Sequence, residues 1–140
     1  MTDIALYLAS RSPRRGELLR QLGLTYARLA ADLDETPVPR EDPKVYVERM
    51  ALGKARCGRL EATTEHPVIG ADTAVVCDGR ILGKPLDGEE ALAMLQLLSG
   101  REHQVLTGVA VIGTRERTSI SESLVRLRRI EPAEAAAYWS

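Results

Sequence analysis

The 140-residue sequence lacks phenylalanine and asparagine, and its aromatic residues are four tyrosines and one tryptophan. Lysine and arginine number 19 against 20 acidic residues, which gives a net charge of −1. Proteins that bind nucleic acids or membrane surfaces generally need a basic face, and single-stranded nucleic acids also need stacking rings. The sequence therefore predicts no nucleic-acid partner and no membrane partner.

Long apolar runs are also absent. No segment approaches the roughly 18 apolar residues of a membrane-spanning helix, and no basic stretch precedes an apolar run at the N-terminus as in a secretory leader. The two cysteines, Cys57 and Cys77, lack the Cys-x-x-Cys spacing, which indicates neither a disulfide framework nor a zinc site. A reducing cytoplasm is the predicted location.

An apolar content of 44% lets 140 residues form one compact domain, which we assign to residues 1–140. Short apolar runs alternate with segments of helical period, which predicts an α/β fold with a mixed central sheet flanked by helices. Predicted strands cover residues 4–9, 26–33, 67–77, 80–82, 104–112 and 118–127, and predicted helices cover 13–22, 44–60, 87–98 and 133–139. The strand at 67–77 is almost continuously apolar, which favours burial on both faces. Asp78-Gly79 predicts a hairpin turn, and the three prolines within 34–43 predict a loop.

The last predicted helix, residues 133–139, is short and carries Tyr138 and Trp139 at its tip. It has no cap and little to bury against. We therefore expect the domain to continue beyond this helix, and a natural end with a frayed helix is the alternative.

A candidate anion site is the segment Ser10-Arg11-Ser12-Pro13-Arg14-Arg15, at a predicted strand-to-helix junction. Free N–H groups at a helix start favour negative charge, and hydroxyls and guanidiniums are donors suited to phosphate oxygens. The alternative is an ordinary N-cap at Ser12 followed by a solvated basic turn.

Asp72 is the most informative single residue, because a carboxylate among so many aliphatic side chains is costly unless it is paired or bound to metal. Lys54 lies on the predicted apolar stripe of its helix, with Val47, Met50 and Ala51. It either holds an ammonium toward a buried anion or extends out to solvent. For Asp72 the alternative is a structural carboxylate that caps a neighbouring loop.

Other charged groups complete the set. Lys84, between Gly83 and Pro85, could also present an ammonium from a stiff loop. The acidic loop residues Asp32, Asp34 and Glu35 carry hard oxygens suited to Mg²⁺ or Mn²⁺, unless the loop is simply solvated. Walker A, GxGxxG, HExxH and GxSxG motifs are absent. The combination of cationic donors, carboxylates and one buried aspartate favours metal-assisted chemistry on a phosphate chain.

These positions resemble a known family, the Maf-like nucleotide pyrophosphatases, whose blocks occur here in order along nearly the whole chain. The matching blocks cover residues 8–15, 17–19, 34–36, 51–55, 69–76, 82–85, 98–100 and 103–108. The resemblance implies a Maf/ITPase-like fold and a cytoplasmic, metal-dependent enzyme, often a homodimer. The implied reaction is hydrolysis of a nucleoside triphosphate to the monophosphate and pyrophosphate, which removes non-standard or surplus nucleotides. The family is also linked to arrest of septum formation.

Residue roles follow from the same resemblance. It implies that Glu35 and Asp72 hold the metal, Mg²⁺ or Mn²⁺, and that Asp72 also acts as general base. Lys54 and Lys84 are predicted to be catalytic together with Asp72, by neutralising the triphosphate oxygens, and the predicted substrate-binding residues are Ser10, Ser12, Arg14, Arg15 and Thr73. Asp-Thr at positions 72–73, together with Arg14, is similar to the branch acting on dTTP and UTP rather than the 7-methyl-GTP branch.

The family continues with a Gly-rich segment, around a Lys-Ala-Gly-Ala-Tyr-Gly-Ile-Gln-Gly run, that this sequence does not contain. The C-terminal part of the family domain is therefore expected to be missing. The alternative function is a nucleotide-binding regulator of septum formation that does not turn over its ligand, and the alternative substrate is 7-methyl-GTP.

Overall fold

The computed structural model describes residues 3–83 and 87–139. In chain order its elements are β1 (Leu6–Ala9), α1 (Pro13–Gln21), β2 (Tyr26–Arg28), α2 (Pro43–Glu61), β3 (Val68–Cys77), β4 (Arg80–Leu82), α3 (Gly88–Leu98), β5 (Glu102–Ile112), β6 (Glu116–Arg126) and α4 (Pro132–Trp139). The strands form one sheet in the order β2-β1-β3-β5-β6, with β4 paired to β3. β1 is parallel to its neighbours β2 and β3, whereas β5 is antiparallel to its neighbours β3 and β6. The predicted mixed α/β sheet is confirmed.

The core forms where α2 packs across β3 and β5. Val47, Met50 and Ala51 on α2 are at most 2% exposed. The helix approaches closely because two facing strand positions have no side chain. A Cβ on Gly70 would lie 2.4 Å from the Ala51 carbonyl oxygen, and one on Gly108 would lie 2.6 Å from the Val47 carbonyl oxygen. This approach brings the side chains of α2 into contact with those of β3.

The second strand is shorter than predicted, ending at Arg28 rather than residue 33. Arg28 is paired with Leu8, and the Leu29 N–H still donates to the Leu8 carbonyl. β1 ends at Ala9, so later residues have no neighbouring strand to pair with. The prediction of strand for residues 29–33 was wrong because the alternation of apolar and polar residues reflects this segment alone and does not tell how long the neighbouring strand β1 is.

The prediction that the third strand is buried on both faces is correct for the face toward α2 and correct only in part for the other face, which has buried, half-buried and exposed residues. Val68, Ala74 and Val76 are buried against α2, but Thr73 is exposed and Val75 is half-buried. The face that carries Thr73 borders an open cleft, described below.

The helix starts and the hairpin turn have residues that favour these conformations. The side chains of Ser12, Asp42 and Asp87 each accept a backbone N–H in the first turn of α1, α2 and α3. Pro43, predicted as the end of a loop, is the first residue of α2. Asp78 and Gly79 both have positive φ, of 53° and 74°, as the predicted two-residue hairpin requires.

The last helix is better supported than predicted. Ala135 is 1% exposed, and α4 packs against α3. Glu134 accepts the backbone N–H of Glu131 at 3.3 Å, which caps the helix start. Hydrogen bonds from Arg128 lower the pKa of Glu134 to about 2. The expectation of an uncapped helix with little to bury against was wrong.

Among the residues that the structure describes, no helix is both long enough and apolar enough to cross a membrane.

Candidate functional site

The turn between β1 and α1 is fixed from two sides. Ser10 Oγ accepts the Ser12 backbone N–H at 3.1 Å and a guanidinium N–H of Arg15 at 3.4 Å. From β2, Arg28 Nη1 donates to the carbonyl oxygens of Ser10, at 2.9 Å, and Ser12, at 3.1 Å. Because both serines and Arg15 are held in this way, their donors are oriented together at the helix start, where an anion is favoured.

Two carboxylates and one ammonium meet beside this turn. Lys54 Nζ lies 3.0 Å from Glu35 Oε1 and 3.0 Å from Asp72 Oδ1. The side chains of Lys54 and Asp72 are only 14% and 12% exposed, whereas that of Glu35 is 49% exposed. Lys54 therefore turns inward to a buried anion, and the alternative in which it extends to solvent is wrong. Asp72 is paired, as a carboxylate among aliphatic residues must be.

Tyr46 holds the backbone of Glu35. Its hydroxyl donates to the Glu35 carbonyl oxygen at 2.6 Å. Burial is the main cause that raises the pKa of Tyr46, and the negative charges of Asp72 and Glu35 add to it, so the phenol keeps its proton. Sequence reasoning missed this residue because a tyrosine on the apolar stripe of a helix is most simply a core residue.

The other acids of the loop have partners other than Lys54, although Asp32 also lines the cleft. Asp32 pairs with Arg11 at 2.6 Å, and both side chains are more than three-quarters exposed. Asp34 accepts the Thr36 backbone N–H at 3.0 Å, and hydrogen bonds from Thr36 lower the pKa of Asp34. Of the three candidate loop carboxylates, Glu35 is the one that contacts Lys54.

A cleft composed of two joined cavities contains these groups. The first, about 500 Å³, is lined by the β1–α1 turn and the acidic loop. The second, about 480 Å³, is lined by Asp72 and Thr73 and by apolar side chains that include Ile81 and Leu82. Four residues line both cavities: Ser12, Arg15, Glu35 and Lys54. The cleft is within the size range of small-ligand sites and has a cationic half and a more apolar half.

Most of the predicted site residues converge on this cleft. Those that line it are Ser10, Ser12, Arg15, Glu35, Lys54, Asp72 and Thr73. Arg14 is exposed on the first turn of α1 and lines neither cavity. Lys84 lies outside the described residues, although the preceding Gly83 lines the second cavity.

The donor set fits a hard divalent cation in part. Within residues 3–83 and 87–139, no group of three or more His, Cys, Asp or Glu side chains is placed to hold a metal. Glu35 and Asp72 nevertheless both contact one nitrogen atom, so their oxygens face a shared point. Mg²⁺ typically takes one or two protein carboxylates and completes its shell with water and substrate phosphates. Two carboxylates are sufficient for that mode.

Comparisons with known proteins identify the family of this chain. A family model described as Maf-like protein matches residues 5–140. A protein of Alkalilimnicola ehrlichii named dTTP/UTP pyrophosphatase is 49% identical to this chain, and the aligned region covers 96% of this chain and 69% of that protein. A protein of the same name from Aromatoleum aromaticum is 50% identical, with 95% of this chain and 71% of that protein covered.

Solved structures support the fold alone. A nucleoside-triphosphatase (dITP/XTP pyrophosphatase) from Mycobacterium abscessus superposes with a TM-score of 0.51 at 20% identity, covering 85% of this chain and 70% of that chain. A Vibrio cholerae protein superposes with a TM-score of 0.52 at 9% identity, covering 87% of this chain and 62% of that chain. Because the family match spans nearly the whole sequence and the relatives are about half identical to it, this chain belongs to the Maf-like protein family.

Proposed function

We propose that this protein hydrolyses nucleoside triphosphates, with dTTP and UTP preferred, to the nucleoside monophosphate and pyrophosphate. The observation that carries the proposal is the meeting of Lys54, Glu35 and Asp72 at the point where the two cavities join. A carboxylate pair beside a cationic, hydroxyl-rich turn suits a polyphosphate and a divalent cation together. The name dTTP/UTP pyrophosphatase, carried by several relatives, supports the choice of substrate.

The triphosphate is proposed to bind along the β1–α1 turn. The N-terminus of α1 and the hydroxyls of Ser10 and Ser12 donate to its oxygens, and Arg15 supplies a guanidinium that already faces the cleft. Lys54 is proposed to exchange its carboxylate partners for the phosphates, which carry more negative charge. Lys84 and Arg14 are proposed to add further positive charge.

In the reaction, a water oxygen attacks the α-phosphorus and the bond to the α–β bridging oxygen breaks. Pyrophosphate leaves with the electron pair of that bond. Asp72 Oδ1, which faces Lys54 and Glu35, would contact the cation once Lys54 has turned to the phosphates, and Oδ2, which has no protein partner among the described residues, is proposed to take the proton of the attacking water. A divalent cation held by Glu35 and Asp72 would polarise the α-phosphate and offset its developing charge.

The direct test is product analysis with the purified 140-residue chain. It is incubated with dTTP, UTP and 7-methyl-GTP in the presence of Mg²⁺ or Mn²⁺, and pyrophosphate, orthophosphate and monophosphate are quantified. Pyrophosphate and monophosphate in equal amounts, fastest from dTTP and UTP, are expected. Orthophosphate as the first product would contradict the proposed bond. Nucleotide binding without any product would favour the regulator of septum formation instead.

The role of Arg15 predicts an effect on substrate affinity. Arg15→Gln removes a guanidinium that faces both cavities, and charge-assisted hydrogen bonds to phosphate are lost with it. We expect KM for UTP to rise by about 10- to 100-fold, with a smaller change in kcat. Steady-state kinetics of pyrophosphate release measure both constants.

The neighbouring Arg14→Gln makes a matched comparison. Sequence reasoning predicts a raised KM for this variant too, whereas the structure leaves Arg14 exposed and outside both cavities. An unchanged KM would remove Arg14 from the phosphate path. Arg115→Gln, in the exposed β5–β6 turn, controls for loss of a surface charge.

Tyr46→Phe tests the support of Glu35. Without the phenol, the Glu35 carbonyl loses its 2.6 Å hydrogen bond and the loop that carries the carboxylate is held less firmly. The metal concentration for half-maximal activity is expected to rise by up to about 10-fold, as for other residues that orient ligands. Tyr7→Phe is the control, because its hydroxyl bonds to Thr64 at 2.8 Å and Tyr7 lines neither cavity. Equal metal dependence in both variants would show that Tyr46 only stabilises the fold.

A further inference from the structure

Thr107 faces Thr73 across two neighbouring strands. The two residues are directly paired in the antiparallel register of β3 and β5, and their hydroxyl oxygens lie 3.2 Å apart. Thr73 is exposed and lines the second cavity, whereas Thr107 is half-buried and lines neither of the two cavities. Among the described residues, the Thr107 hydroxyl has Thr73 as its one hydrogen-bond partner.

Thr73 also receives a hydrogen bond from the other side. Arg15 Nη2 donates to Thr73 Oγ1 at 3.1 Å. A guanidinium can only donate, so one of the two lone pairs of the Thr73 oxygen is occupied by Arg15. The guanidinium has five N–H donors, so it can keep this contact while it also binds a phosphate.

The direction of the Thr73–Thr107 bond then decides what Thr73 offers to a ligand. If Thr107 donates, both lone pairs of Thr73 are occupied and its own proton points to the cleft. If Thr73 donates, the unused proton belongs to Thr107, away from both cavities. A ligand with an acceptor oxygen at Thr73 selects the first arrangement, because every hydroxyl proton then has a partner.

We propose that Thr107 is a specificity-determining positioning residue that favours Thr73 as a hydrogen-bond donor to the ligand, and thereby selects a nucleobase with a carbonyl oxygen rather than an amino group at that edge. This inference rests on the proposed function, in which the nucleotide occupies the cleft. Uracil and thymine present a carbonyl at the position where cytosine presents an amino group. An amino group at Thr73 would need a lone pair, so Thr73 would have to donate to Thr107, and the proton of the half-buried Thr107 hydroxyl would then have no partner among the described residues.

The test compares Thr107→Val with Thr107→Ser. Valine keeps the shape of threonine and suits a strand, but it removes the hydroxyl and frees one lone pair of Thr73. The ratio of kcat/KM for UTP over CTP is expected to fall by about tenfold in Thr107→Val. Thr107→Ser keeps the hydroxyl and should keep the wild-type ratio. Thr118→Val, an exposed threonine on β6, controls for the same chemical change elsewhere.

Equilibrium binding separates this inference from the proposed function. Calorimetry with UTP and CTP analogues that carry a methylene between the α- and β-phosphorus measures the same preference without turnover. A lowered UTP preference in Thr107→Val supports the inference even if no analogue or substrate is ever cleaved. An unchanged preference overturns it, as does an equal loss for both nucleotides, which would place a phosphate oxygen at Thr73. A wild-type protein that binds both analogues equally also overturns it.

Discussion

Asp72→Asn is expected to lower kcat for pyrophosphate release by about 10²- to 10⁴-fold, the usual consequence of removing an acid–base group. Asparagine has the same shape, and its carbonyl can still accept the 3.0 Å hydrogen bond from Lys54. The variant therefore keeps the packing of β3 against α2 and loses only the negative charge. Without that charge the site has a weaker proton acceptor and one carboxylate fewer for a cation, so both roles proposed for Asp72 fail together.

Asp78→Asn provides the matched control for this effect. Asp78 lies just beyond the end of β3, is exposed and pairs with Arg101, and asparagine tolerates its positive φ. It undergoes the same chemical change outside the cleft and should retain wild-type turnover. Circular dichroism and thermal unfolding establish that both variants are folded. Wild-type-like turnover in Asp72→Asn would remove this residue from the mechanism.

Much of the fold could be predicted because its signals are local. The apolar run of β3, the helical period of α2 and the Asp78-Gly79 turn each follow from a few neighbouring residues. The extent of β2 could not be predicted in the same way. It depends on where β1 ends, because Leu8 pairs with Arg28 and β1 stops at Ala9, and alternation alone carries no such information.

The candidate site also has residues that could be predicted from the sequence and residues that could not. Asp72 and Lys54 could be identified because a charge in an apolar context must have a partner, and the structure places them in contact. The residue pattern alone could not choose among the loop acids, because residues 34–42 have no regular period, and it was the family resemblance that indicated Glu35. In the structure, Glu35 is distinguished by its contact with Lys54 and by the hydrogen bond from Tyr46.

Arg28 shows a different limit. It fixes the Ser10 and Ser12 carbonyls from β2, yet nothing in the sequence separates it from the other arginines of an arginine-rich chain. Its role depends on β2 lying beside β1, which places a side chain from position 28 next to a turn at positions 10–12. Support of a site by a neighbouring strand is a tertiary property.

Gly70→Ala is expected to lower the free energy of unfolding by about 1–3 kcal/mol, the typical cost of overpacking a core. A Cβ at this position would lie 2.4 Å from the Ala51 carbonyl oxygen and 2.6 Å from the Ala55 nitrogen. Both are backbone atoms of α2 and cannot rotate away as a side chain could. The helix as a whole must therefore move outward from β3, by roughly 1 Å to restore ordinary contact distances.

The same displacement predicts a loss of activity larger than the loss of stability explains. Lys54 precedes Ala55, so its ammonium moves with the helix, while Asp72 stays on β3, two residues from the substitution. Misplacement of a catalytic contact by about 1 Å can cost about 100-fold in rate, and we expect kcat to fall by that order in protein that is still folded. Gly113→Ala is the control, because the nearest atom to its Cβ is Pro67 Cγ at 4.0 Å. Chemical denaturation measures the unfolding free energy of both variants, and steady-state kinetics measure kcat. If both quantities equal those of the wild type in Gly70→Ala, the contact of Gly70 with α2 does not set the distance between Lys54 and Asp72.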